Sequence, residues 1–230
     1  SQLSIREQLY GGPDDRNQLV QRKLRQNGLE TVCFSNFAPR HCATWFSMGW
    51  TEYHSPSLHT GSESAEEVNE PVLRWIENNG ARDDYFLYIN YWDPHRVYNV
   101  DQQWFDRMRE HPVPGDWPDN AAIRGQQDIN GWFTAANLFP NGAKSPTPNM
   151  PDTIGTREDF EHMVTGYDAE IAYTDHQIRR VLDALEAQGV LDETVVIISA
   201  DHGEAMGEHG VYGDHVCADE CINKVPLIIH

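Results

Sequence analysis

The chain has 230 residues, and 36 Asp and Glu against 17 Lys and Arg give it a formal net charge of -19. A field of that sign repels nucleic acid and anionic membrane surfaces, and an anionic substrate would need a local cation to be held. With 39% hydrophobic and 10% aromatic residues the chain can bury a core rather than stay disordered. Along the chain, Arg16 to Asn27 places Leu19, Val20 and Leu24 at helical spacing, with Gly28 as the stop. "TVCFSNF", Thr31 to Phe37, is short, β-rich and apolar, which predicts a buried strand. Ser64 and Glu67 form a capping box that opens a helix with Val68, Val72, Trp75 and Ile76 on one face. Pro71 predicts a kink there or a later start, and Gly80 an end. "YFLYINY", Tyr85 to Tyr91, is the next strand.

From Arg96 to Gly155 periodicity is lost and prolines punctuate the chain, yet Trp104, Trp117 and Trp132 fall inside it. We expect residues 96–155 to form an irregular but folded excursion with short helices, within one α/β domain covering residues 1–230. A long helix over Thr156 to Gln188 follows, then the strand "TVVIIS" and a last strand in "VPLIIH". Helices alternating with continuous apolar strands predict a mainly parallel sheet sandwiched between helices. No run approaches the ~18 apolar residues of a membrane helix. The four cysteines include no Cys-x-x-Cys pair and are expected to be reduced and mostly buried.

In such sheets chemistry gathers past the carboxyl ends of strands. Two polar clusters stand there: "DPH", Asp93 to His95, and "ADHGE", Ala200 to Glu204. Asp201 and His202, carried by a rigid strand, make two legs of a divalent-metal site, with Gly203 allowing a tight turn behind them. The plain alternative has Asp201 capping a turn and His202 bonding backbone. The continuation "DHGEAMGEHGVYGDH" favours ligand binding, because its glycines admit close backbone approach and the residues between them are metal or anion binders. It shows almost no helix or strand pattern. His95 can donate a proton or bind an anion as imidazolium. His41, His54, His59, His111 and His162 are read as structural.

The run from "YDAEIAYTDHQ" through "VVIISADHGEAMGEHG" resembles the sulfatase branch of the alkaline-phosphatase-like hydrolases, with Ala200 inserted or substituted before Asp201. "NYWDPH", "VPLIIH" and "LRQNGLETVCFSNF" agree in order. The resemblance implies an incomplete alkaline-phosphatase-like α/β fold and a sulfuric ester hydrolase. It implies that Asp201 and His202 bind a divalent metal, calcium foremost, with Mg2+ and Mn2+ as alternatives. It also puts His95 near the leaving oxygen of the ester and His215, in "GDH", against the sulfate, with Lys224 as the substitute for that substrate-binding role. The expected partner is a small-molecule or saccharide sulfate ester, with no nucleic acid and no membrane.

The family nucleophile, Cys or Ser in Cys/Ser-x-Pro-x-Arg, has no match here. "HSPSL", His54 to Leu58, has His for Cys and Leu for Arg. Nor does a strand end in the paired aspartates that complete the family's metal site, and "PDDRN", Pro13 to Asn17, opens a helix instead. The expectation is an internal fragment, inactive by itself, with the formylglycine outside this chain. Phosphate or phosphonate ester hydrolysis, and a non-catalytic metal-binding scaffold, are the alternatives.

Overall fold

A computed structural model describes residues 19–57, 63–111 and 114–230. The "PDDRN" segment, Leu58 and His59 lie outside the described residues. The chain divides into two compact units, one of Ser1–Trp92 with His176–Glu193, the other of Asp93–Asp175 with Thr194–His230.

In the first unit, α1 (Val20–Gln26) ends where Gly28 takes a φ of +96°, a left-handed value open to glycine, and Leu29 N donates back to Leu24 O at 3.1 Å. The chain then enters β1 (Glu30–Phe34), which pairs in parallel with β2 (Glu52–His54) and β3 (Tyr85–Ile89) in the order β2-β1-β3. Central strand β1 buries Val32, Cys33 and Phe34, as a continuous apolar run predicts for a parallel strand covered on both faces. It stops three residues before the expected Phe37. The Ser35 hydroxyl accepts from Phe37 N at 3.0 Å and donates to Asn90 Oδ1 at 3.1 Å, turning the chain into a short helix, α2 (Phe37–Arg40).

Helix α3 (Ala65–Asn79) begins at the predicted capping box. Ser64 Oγ accepts from Glu67 N, and Glu67 Oε2 accepts from Ser64 N at 2.9 Å. The helix continues through Pro71 and is not restarted there. Its Val68, Val72, Trp75 and Ile76 pack with Val32, Phe34 and with Val181 and Leu185. Ser64→Ala removes the acceptor of the helix-end Glu67 N–H and is expected to cost about 1 kcal/mol, read as a lower urea midpoint at unchanged slope.

The second unit holds α4 (Gln102–Arg109) and α5 (Asn120–Arg124), both within the stretch of lost periodicity. Helix α6 (Arg157–Ala187) is the long helix predicted from Thr156. Tyr98, Ile123, Leu138, Met150, Ile154, Phe160, Met163 and Tyr212 form this unit's core. Trp117 packs against that core whereas Trp132 is exposed.

The last strands differ from a fully covered parallel sheet. β4 (Ile197–Ser199) pairs antiparallel with the final strand of the chain (Leu227–Ile229), and Val195, Ile197, Leu227, Ile228 and Ile229 are exposed. Uninterrupted apolar residues predict two covered faces, and no layer among the described residues covers these. The four cysteines are free as expected, but only Cys33 of the four is buried.

Candidate functional site

After β4 the chain runs through Ala200, Asp201 and His202 into a hairpin, β5 (Ala205–Met206) against β6 (Tyr212–Asp214). This is the run read as lacking strand pattern. Its strands of two and three residues are too short to show a period of two. The hairpin returns the chain so that His215 stacks on His202, with ring centroids 3.9 Å apart and planes 25° apart. His95 reaches the same place from the segment after β3, its centroid 5.3 Å from His215 and 6.2 Å from His202. Three sequence-predicted histidines therefore meet, two flanking one hairpin and His95 coming from a remote part of the chain.

The segments carrying two of them are bolted together. Arg96, next to His95, donates to Asp214 Oδ2 at 3.2 Å and to Leu138 O at 2.8 Å, and its guanidinium lies 4.5 Å from the Phe133 ring centroid. Both side chains of this ion pair are buried. Asp214 Oδ1 in turn accepts from His215 N at 2.8 Å.

Glu204 completes the cluster. Its side chain is only 4% exposed; Oε2 accepts the Tyr98 hydroxyl at 2.8 Å and Oε1 lies 3.4 Å from His215 Nδ1. This contact raises the pKa of His215, helped by the charges of Asp214 and Asp201 and opposed by burial. His95 shifts the other way. Burial lowers its pKa, the nearby imidazoles add to that, and contacts with Arg96 O and the Glu204 charge oppose it. A charge-prone and a neutral-prone imidazole thus stand side by side, the arrangement that lets one group donate where another accepts.

The remaining predicted residues are placed differently. Asp201 is 77% exposed; its Oδ1 accepts from His202 N at 3.1 Å and lies 3.8 Å from His202 Nε2. Lys224 is exposed and pairs with Glu220 at 3.3 Å, not with the histidines. Gly203 has a different reason from the expected tight turn. Its N donates to Ile222 O at 2.7 Å, and a Cβ at this position would collide with the Cys221 carbonyl. Glycine is needed because another backbone passes there.

Sequence reasoning missed Glu204 and Tyr98 as parts of the site. Glu204 stands in the quoted run directly after Asp-His-Gly, so its chemistry was visible, but its burial against Tyr98 was not. Of the histidines read as structural, His54 stacks on Phe34 and pairs with Glu52, and His162 bonds Pro148 O at 2.6 Å.

The Sulfatase family profile matches residues 8–230 of this chain. A protein named sulfatase from Formosa agariphila is 28% identical over 181 residues, covering 75% of this chain and 32% of that protein. Iduronate 2-sulfatase of Mus musculus is 34% identical over 186 residues, covering 74% of this chain and 31% of that protein. The chain spans about a third of the length of the curated relatives it matches. A solved phosphonate monoester hydrolase of Agrobacterium radiobacter shares the fold with a TM-score of 0.57 at 17% identity, over 91% of this chain and 52% of that one. A protein solved with its substrate D-glucosamine-2-N,6-O-disulfate superposes with a TM-score of 0.61, again at 17% identity, over 91% and 54% of the two chains.

Proposed function

Because the chain belongs to the sulfatase family, we propose that the protein hydrolyses sulfuric esters and that the cluster of His95, His202, His215 and Glu204 holds the ester. The observation that carries this reading is the convergence of three imidazoles from three segments in a chain of net charge -19. The Glu204 carboxylate favours the protonated form of His215, whose other ring nitrogen can then meet a sulfate oxygen as a hydrogen-bond donor. His95 has its Nδ1 on Arg96 O, so Nε2 is the atom turned to other partners. Burial favours the neutral ring, so a proton that Nε2 takes up is readily passed on to the leaving oxygen. The relative named iduronate 2-sulfatase supports a sulfated saccharide as the substrate class.

Family resemblance also implies calcium, which takes six to eight oxygen ligands at about 2.3–2.6 Å. The donors gathered here are two imidazoles and one carboxylate, and Asp201 spends an oxygen on its neighbour's amide in an exposed position. Two imidazoles, the Glu204 carboxylate and exposed Asp201 would fill part of a divalent-cation shell, with further ligands needed from elsewhere, and no step of the reaction is drawn through the ion.

The complete gene product should be assayed on an aryl sulfate and on sulfated sugars, beside phosphate and phosphonate monoesters. Sulfate esters are expected to turn over fastest, with His95→Ala lowering kcat by about 10²- to 10⁴-fold. Faster turnover of phosphonate or phosphate esters would move the assignment to those anions. No turnover of any ester would leave a binding scaffold.

A further inference from the structure

We infer that Glu170 is the positioning residue of His95, holding from α6 the irregular segment that carries the imidazole. This rests on the reading above of His95 as the group that protonates the leaving oxygen, while the geometry that carries it involves no ester.

Residues 93–100 are neither helix nor strand, so no regular ladder of backbone bonds fixes them. Side chains from elsewhere hold them instead. Glu170 Oε1 accepts from Asn99 N, and the Val100 amide donates to the same carboxyl. Thr147 Oγ1 donates to Tyr98 O at 2.9 Å, and Asn149 Nδ2 donates to Val100 O at 2.8 Å. All three holding side chains are buried. One turn before Glu170, on the same face of α6, Gly166 leaves the room that the segment needs. A Cβ there would collide with Asn149 O and touch Tyr98. Gly166 and Glu170 together are the seat on which the segment rests.

Nearer the imidazole, Arg96 is tied to Asp214 and to Leu138 O, and the Tyr98 hydroxyl to Glu204. His95 Nδ1 contacts Arg96 O, so the direction of the ring follows this backbone. Asn99 stands only four positions after His95, and its amide is where α6 grips the chain. A carboxyl is a poor choice there for stability alone. Burial, with the charge of Asp93 adding to it, pushes it up to about 8, a penalty that an apolar side chain of the same length would avoid. Such a side chain could not accept the two amides that keep the segment from drifting. An acid displaced by about 1 Å from its reacting oxygen loses about 100-fold in rate.

The test compares Glu170→Met, which keeps the length and loses the acceptor, with Glu170→Gln, which keeps both. In the 230-residue chain, NMR follows the His95 Cε1–H resonance, identified by its loss in His95→Ala. Glu170→Met is expected to shift or broaden this signal and to speed amide exchange at Asn99 and Val100 by about tenfold or more. The signals of His54 and His162 should stay in place, and Glu170→Gln should leave all of these near wild type. In the complete gene product, Glu170→Met should lower kcat on the preferred ester by about 10- to 100-fold, with KM changed less than about threefold. Glu170→Gln should stay within about threefold of wild type in both. If Glu170→Met fails to fold by circular dichroism, Glu170→Asp, which withdraws the carboxyl by one methylene, decides by the same signals. An unmoved His95 signal or an unchanged kcat in the deciding variant overturns the inference. So do a glutamine variant that behaves like the methionine one, and histidine signals that all move together. A His95 signal that responds as expected, while the complete protein turns over no sulfate ester, sinks the functional reading alone.

Discussion

Replacing Glu170 by Gln is expected to remove most of a fall in stability that the wild-type protein suffers between about pH 4.5 and about pH 8. Glu170 sits on α6, 3% exposed, and its Oε1 accepts from Asn99 N just past His95. Burial, with the charge of Asp93 adding to it, pushes its carboxyl up to about 8, against the opposing hydrogen bonds from Asn99 N and Val100 N. Below the ordinary carboxylate value both native and unfolded chains carry this proton. Between that value and about 8 the unfolded chain releases it while the native chain keeps it, so stability drops as pH rises and levels off above. Each unit of difference is worth about 1.4 kcal/mol, so the whole effect is on the order of a few kcal/mol. Glutamine keeps the acceptor and cannot ionise. Its amide hydrogens meet the side where Oε2 has no partner among the described residues, a cost of about 1–3 kcal/mol that does not vary with pH. Urea unfolding of both proteins at pH 5 and pH 8 reads the difference. An equal pH slope in the two proteins would show that other groups carry it.

Asp214→Ala is expected to cost about 3–5 kcal/mol, because it leaves the Arg96 guanidinium buried without its counter-charge. The same change takes the acceptor from His215 N, so the imidazole loses its anchor along with the fold's stability. Converting both partners to apolar residues, as in Arg96→Met with Asp214→Leu, should recover much of the loss, since it removes the stranded charge. Thermal unfolding of Arg96→Met, of Asp214→Leu and of the double variant closes the cycle. A double variant as unstable as the sum of the single ones would mean that the pair is not coupled.

Features set by local chemistry were legible in the sequence. The Ser64–Glu67 box starts α3 where it was expected, the Gly28 stop lies next to the end of α1, and α6 follows its apolar spacing. What depends on remote contact was not legible. Ser35 ends β1 early through Asn90, 55 residues away, and no local pattern foretells that. The hairpin of β5 and β6 is too short for its period to register. The cluster itself was half visible: His95, Asp201, His202 and His215 were marked by following strands or by family resemblance. Burial then separated Glu204 from exposed Asp201, although both are carboxylates a few residues apart in one glycine-rich run. Asp214 and Arg96 showed no sign of pairing, since they stand 118 positions apart in the chain.

The glycine of "DHG" has a consequence for how this protein is made. Its amide is held by Ile222, and its missing side chain is the room through which Cys221 passes. During synthesis Asp201 and His202 leave the ribosome ahead of the segment that fixes them. The loop between Gly203 and Ile222 has to close, at its entropic cost, before the backbone beneath the imidazoles is fastened. Until then this stretch of chain carries the motif without the site, its histidines open to whatever ion or oxidant the nascent protein meets.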